Sequence, residues 1–231
     1  MFWCPIERDV VEVTGPDAIG YLQSQLSQDL RPLADGDEAW SFVLQPTGKV
    51  DALVRVRRVG EQHVRLDVDA GYGEVLLARL QRFKIRVQAD LSLSTVPGVA
   101  VRGGDAPLDL LGADAVPPAG VPQGTLAQLQ LARIDAVWPA MGAEIVPGET
   151  IPAETGITDV AVSFTKGCYP GQELVERMDS RGASAPRLLQ RVEVADGTVP
   201  GDSCLDGAGI VTSVQGTAAL ALVKRSALAR H

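Results

Sequence analysis

Residues 164–182 read FTKGCYPGQELVERMDSRG, and the interpretation of the whole chain turns on this stretch. Cys168 lies between Gly167 and Tyr169, two residues after Lys166 and just before an expected helix start. With residues 162–168 (VSFTKGC) extended, Lys166 and Cys168 point to the same side. An ammonium beside a thiol favours the thiolate, and the positive end of a helix beginning near Gly171 acts in the same direction. Pro170-Gly171 suits a sharp turn into that helix. Glu173 falls in its first turn and precedes Arg177 by four residues, the better orientation for an ion pair. Gly167 and Gly171 bracket the thiol without side-chain bulk, so a ligand could approach the backbone closely. From these residues alone two readings stand: a working thiol, or the small buried hydrophobe that an isolated cysteine more often is.

Upstream of the motif the patterning alternates between strand and helix. Residues 9–15 read as a strand, and GPDAIGYLQSQLSQDL (15–30) as a helix with Pro16 in its first turn and Ile19, Leu22 and Leu26 on one face. AWSFVLQ and VDALVRVRRV are strand-like runs joined through Pro46-Thr47-Gly48. Val54 and Val56 alternate with Arg55 and Arg57, and Val64, Leu66 and Val68 with Arg65 and Asp67, the period of half-buried strands. Leu76, Leu77, Leu80 and Phe83 form a helical stripe over 73–84, and strands are expected again at 85–102. This order predicts an α+β layer, with helices on one face of a mainly antiparallel sheet. Residues 103–124, rich in Gly, Pro, Ala and Asp, read as a long mobile surface loop. A helix over 125–134 and an irregular segment follow. Residues 187–231 carry short strands broken by Asp196-Gly197, Pro200-Gly201 and Asp206-Gly207, the composition of a small closed β unit.

Hydrophobic residues make up 45% of the 231 and charged residues 22%, which predicts a packed globular protein. The net charge of −8 leaves no excess of cations to displace phosphate counterions, so general nucleic-acid binding is not expected. No apolar run reaches bilayer-spanning length, and MFWCPIERDV lacks the pattern of a secretory signal. Cys4, Cys168 and Cys204 are odd in number and far apart, which argues against a disulfide framework and for a reducing, cytoplasmic setting.

Lys166-Gly167-Cys168-Tyr169-Pro170-Gly171-Gln172-Glu173, followed by Arg177, resembles the signature of the YgfZ family of folate-binding proteins. These are relatives of the glycine cleavage T-protein that assist iron–sulfur protein maturation. The family pattern, Lys-Gly-Cys-aromatic-any-Gly-Gln-Glu, is complete here. GPDAIGYLQSQLSQDL, LQPTGKVDALVRV, ARIDAVWPAMGAEIVPGETIPAE and VQGTAALALVKRSAL resemble further family segments in order, with 103–124 the weakest part. The resemblance implies ferredoxin-like α/β subdomains around a central folate cavity over 1–184, then a small C-terminal β-barrel over 185–231. It also implies a tetrahydrofolate or a one-carbon derivative as ligand, and iron–sulfur client or assembly proteins as partners. Cys168 and Lys166 are then the reactive pair, and Asp51, Tyr169, Gln172, Glu173 and Arg177 the residues toward the cofactor.

One departure bears on the chemistry. T-proteins carry two adjacent aspartates in the central hairpin, whereas here Asp51 is followed by Ala52. That argues against glycine cleavage and leaves reduced-folate binding intact. The alternatives are a folate-dependent aminomethyl- or methyltransferase using Asp51, and a folate-binding scaffold without chemistry. PTGKV is not a phosphate loop, since Val43 and Val50 stand where Gly and Ser or Thr are required. With only His63 and His231, a Ser-His-Asp triad or a histidine-rich metal site is hard to build, and the cysteine spacing suits no stable cluster. Arg177, Arg181, Arg187 and Arg191 concentrate positive charge near the motif, either as a solvated face or as a landing site for folate carboxylates.

Overall fold

The computed structural model describes residues 1–104, 106–180 and 185–228. Its strands are β1 (Phe2–Thr14), β2 (Glu38–Leu44), β3 (Val50–Gly60), β4 (His63–Asp69), β5 (Asp90–Arg102), β6 (Leu108–Leu111), β7 (Arg187–Glu193), β8 (Ser203–Cys204), β9 (Gly209–Gln215) and β10 (Ala218–Lys224). The helices are α1 (Ala18–Gln25), α2 (Gly73–Phe83), α3 (Leu126–Asp135), α4 (Thr158–Ala161), α5 (Gln172–Ser180) and α6 (Arg225–Leu228). One sheet runs β2-β3-β4-β1-β5-β6 and a second β7-β10-β9-β8. No described helix is long and apolar enough to cross a membrane. The chain divides into two compact units, one of Asp9–Thr95 with Ile145–Ala185, the other of Met1–Arg8, Val96–Glu144 and Pro186–His231. The sequence reading set one boundary at 184/185; the segment beginning at Pro186 shares its unit with the two earlier segments.

In the first unit β2, β3 and β4 form an antiparallel meander, with Phe42 opposite Leu53 and Val56 opposite Leu66. The alternation along β3 predicts one wet face, yet every residue from Val50 to Val56 is buried. Arg55 tolerates this because its Nε donates to Asp67 Oδ1 at 2.9 Å, directly across the strand pair. A buried guanidinium is stable only when paired in this way. Leu22 and Leu26, and Leu76 and Leu80 of α2, are buried with the sheet's valines. The expected first helix ends early: Leu26 is extended (ψ 151), so 26–30 turns away instead of continuing α1.

Asp9 fixes the start of α2 from a neighbouring strand. Its Oδ2 accepts from the Gly71 and Gly73 amides at 2.8 and 2.9 Å, and its Oδ1 from Thr95 Oγ1 at 2.7 Å. Those amides belong to the otherwise unsatisfied first turn of a helix. Burial alone would raise the Asp9 carboxyl, but the Thr95 hydroxyl and the Gly73, Gly71 and Tyr72 amides outweigh it and hold the group below its ordinary value. A depressed folded value means that Asp9 stabilises the fold above the ordinary aspartate range and loses this contribution as pH falls through the folded value. Asp9→Asn is expected to cost about 1 kcal/mol at pH 7. The gap to wild type should close below about pH 4, read by urea unfolding at both pH values. A gap independent of pH would contradict this role.

In the second unit β10 pairs antiparallel with β7 and with β9, and β8 closes the order on β9. Val192, Val211, Ala219, Ala221 and Val223 form one apolar cluster; Leu189, Ala218 and Leu220 pack with Ile134 of α3 in another. Thr125 caps α3 through a reciprocal pair with Gln128, its Oγ1 accepting at 3.2 Å and its amide donating at 2.9 Å. Glu144, which the sequence reading overlooked, is a buried carboxylate with Arg133 Nη1, Ala140 N, Thr212 Oγ1 and Ser213 Oγ all donating to it within 2.9 Å. The expectation of a mobile loop over 103–124 needs correction. It contains β6, paired antiparallel with β5, and its end is held by Trp3, whose amide donates to Pro122 O and whose carbonyl accepts from Gly124 N.

Candidate functional site

The site lies within the first unit and is assembled from three turns. The first is the β2–β3 connection, closed by Gly48 N donating to Gln45 O and Gln45 N donating to Lys49 O, both at 2.8 Å. Gly48 has φ +85, a conformation that favours glycine. The second is residues 148–150, which lie along the start of β3: Gly148 N donates to Val50 O at 2.8 Å and Val50 N to Thr150 O at 2.9 Å. The third is the Pro170-Gly171 turn into α5. Gly171 has φ +83, and a Cβ there would stand 2.5 Å from Gln45 O and 2.8 Å from Gly48 Cα. A Cβ on Gly48 would in turn meet Leu174 Cβ at 2.4 Å. Two glycines thus let the hairpin turn and the motif turn interlock.

Asp51, 8% exposed, sits beneath this junction. Its Oδ1 accepts from Gln45 Nε2 at 2.8 Å, and its Oδ2 lies 3.5 Å from Arg79 Nε. Arg79 is itself buried. It donates to Leu44 O at 2.7 Å and to Gln25 Oε1 at 3.2 Å, and its guanidinium stacks 4.0 Å from the Phe83 ring centroid. Burial pulls the Arg79 pKa down, with the Asp51 charge opposing.

The KGC segment is tied to the loop after α1. Ser27 Oγ donates to Ala161 O at 2.7 Å, and Ser163 N donates to Ser27 O at 2.9 Å. Residues 162–168, expected to be extended, instead form a turn, so strand alternation does not apply to them. Lys166 turns inward and is 5% exposed, while Cys168 is exposed. Lys166 Nζ donates to Leu26 O at 2.6 Å, Gln23 O at 2.7 Å and Gln28 O at 2.9 Å. Burial draws its pKa down to about 8, against the pull of these carbonyls toward the charged form. This ammonium is committed to backbone acceptors, so its role in this geometry is to hold the turn.

Tyr169 follows the thiol and is 6% exposed, its ring centroid 5.4 Å from Lys166 Nζ. Its Oη is buried without a hydrogen-bond partner among the described residues, and burial pushes the phenol up to about 12. Buried hydroxyls normally find a partner, so an orphan marks a place where a ligand or water completes the site. Gln172 Nε2 donates to Glu176 Oε1 at 2.6 Å. Glu173 and Arg177 are both exposed, and no ion pair between them occurs among the described residues, contrary to expectation. In the other unit Arg191 pairs with Asp135 at 2.8 Å and Glu193 at 2.7 Å, which argues against a folate-carboxylate role for it. Arg181 lies outside the described residues. Among the described residues no group of three or more His, Cys, Asp or Glu is placed to hold a metal.

No protein-family model matches the chain. It is 24% identical over 250 residues to the mitochondrial iron–sulfur cluster assembly factor IBA57 homolog of Neurospora crassa, covering 90% of this chain and 57% of that one. It is 27% identical over 218 residues to the tRNA-modifying protein YgfZ of Klebsiella pneumoniae, covering 76% of this chain and 66% of that one. The chain therefore spans less than two thirds of either relative. In fold it matches the glycine cleavage system aminomethyltransferase T of Bartonella henselae with a TM-score of 0.71 at 15% identity, over 97% of this chain and 79% of that one. With the complete motif and the T-protein fold, the chain belongs to the family that contains YgfZ and IBA57.

Proposed function

We propose that this protein binds a tetrahydrofolate and assists assembly or repair of iron–sulfur clusters, with Cys168 as the working thiol. The carrying observation is that Cys168 is exposed while residues on either side, Lys166 and Tyr169, are buried. A cysteine that merely filled space would be buried with them. Flanked by two anchors, this one is presented at a fixed place on the surface, where a thiolate can ligate iron or attack a partner's sulfur. The names of the relatives support the iron–sulfur role, and the T-protein fold supports the folate.

The residues present suit a folate, since the orphan Tyr169 Oη and the carboxamide of Gln172 offer hydrogen bonds to a polar heterocycle. Asp51 and Glu173 offer acceptors, and the exposed Arg177 suits a ligand carboxylate. When bound, the folate supplies a one-carbon unit or its carrier nitrogen. Asp51, already engaged by Gln45 and Arg79, serves to shape that pocket. Lys166 positions Cys168 by holding the turn, and iron–sulfur client or assembly proteins are the partners.

The test deletes the gene in its host and assays a four-iron, four-sulfur enzyme after restoring wild type, Cys168→Ala or Asp51→Asn. Rescue is expected to fail with Cys168→Ala although that variant, altered at an exposed site, keeps its stability within about 0.5 kcal/mol. Full rescue by Cys168→Ala would refute the working thiol. Loss only with Asp51→Asn would assign folate-dependent methyl transfer instead.

A further inference from the structure

A groove of about 430 Å³ opens on the first unit between α1 and the chain that links α2 to β5, away from the three turns described above. One wall is a single face of α1, with Gly20, Tyr21 and Ser24 at helical spacing; the other is Phe83, Ile85 and Val87. Three observations mark it as a surface made for contact. Ile85 is 74% exposed, a large apolar side chain held in solvent at the groove's edge. Gly20 lies inside a helix, where glycine is disfavoured, yet a Cβ there would meet nothing within 4 Å and its φ is not positive. The fold does not require this glycine; its effect is to keep the groove floor at the level of the helix backbone. Arg86 adopts φ 56, an uncommon conformation for a side-chain-bearing residue, which persists between two groove-lining neighbours.

Charge identifies the occupant. Residues 75–89 contain no Asp or Glu in a chain of net charge −8, and they carry Arg82, Lys84 and Arg86 at the groove. None of these three has a carboxylate partner among the described residues. The acid of the groove, Asp17, is engaged: its Oδ2 accepts from Gln88 N at 2.7 Å. An open, apolar-walled channel with a cationic rim fits an extended peptide whose apolar side chains enter the groove while flanking carboxylates meet the rim. We propose that this groove binds an acidic segment of a partner protein anchored by one or two large apolar residues. A nucleic acid would gain little from the apolar walls, and a membrane surface would not reach the recessed floor at Gly20.

The test is fluorescence anisotropy with the full chain and a labelled twelve-residue peptide of Glu and Asp around a central Leu-Phe pair. Controls replace the pair by Gly-Gly, or the acids by Lys, and a separate arm uses vesicles of phosphatidylglycerol. Wild type is expected to bind the Leu-Phe peptide about ten-fold more tightly than either control peptide, the scale of an apolar anchor in a pocket. Gly20→Leu, which fills the floor, and the pair Arg82→Glu/Arg86→Glu should each weaken binding about ten-fold, with the charge-reversed pair also losing its salt dependence. Ile85→Ser, altered at an exposed site, gives the same readout if Gly20→Leu fails to fold. Equal affinity for the Gly-Gly peptide, or binding indifferent to both Gly20→Leu and Ile85→Ser, would overturn the proposal. So would vesicle binding sensitive to Gly20 without peptide binding.

Discussion

Lys166→Met is expected to destabilise the protein by about 3–4 kcal/mol and to abolish rescue of an iron–sulfur enzyme although Cys168 is untouched. Methionine reproduces much of the apolar stem but offers no donor. The carbonyls of Gln23, Leu26 and Gln28 would then lose a charged partner together, in a place where water enters poorly. Hydrogen bonds from a charged group are worth roughly 1.5–3 kcal/mol each, but they share one ammonium and do not add in full. Removing the buried charge also returns its desolvation cost, the same cost that draws the Lys166 pKa down to about 8. The balance remains a loss, because the acceptors stay behind. Urea unfolding measures it. A loss below about 1 kcal/mol with rescue intact would show that the turn keeps its shape without this anchor, and that Lys166 is not what positions Cys168.

The contrast between Lys166 and Cys168 shows where sequence reading succeeds and where it stops. β2, β3, β4 and α2 were legible because their apolar residues repeat at the period of the element they form. The double-sided burial of β3 was not, because Arg55 is made tolerable by Asp67, a cross-strand partner that no local pattern reveals. Cys168 and Asp51 were legible as parts of motifs, and both occupy places where chemistry is plausible by exposure or by a charged neighbour. The task of Lys166 was not legible. Its acceptors lie at least 138 positions away, and a lysine two residues before a cysteine looks like that cysteine's activator. Glu144 escaped notice for the same reason, since its hydroxyl donors Thr212 and Ser213 are 68 and 69 positions distant. Residues 103–124 were misread because Gly and Pro are abundant both in mobile loops and in short strands joined by tight turns.

The two glycines bracketing the thiol should behave oppositely, although their sequence setting is nearly the same. Gly171→Ala is expected to lose at least about 3 kcal/mol. The left-handed backbone at φ +83 costs a side-chain-bearing residue roughly 1–2 kcal/mol. The new methyl adds a clash with Gln45 O and Gly48 Cα, which belong to backbone and cannot rotate aside. Relief requires the β2–β3 turn and the start of α5 to separate, which also loosens the packing of Leu174 on Gly48. Gly167→Ala should change stability by less than about 0.5 kcal/mol, because a Cβ there meets nothing within 4 Å and no positive φ is involved. The open space beside Gly167 adjoins the exposed thiol, so a partner or ligand that closes on Cys168 comes up against this backbone. The variant is therefore expected to fold as wild type and still restore the iron–sulfur enzyme poorly. Denaturant unfolding and complementation, measured on both variants, separate the roles. If Gly167→Ala rescues fully, Cys168 acts without close approach to its neighbour; if Gly171→Ala keeps wild-type stability, the two turns are not locked together by their glycines.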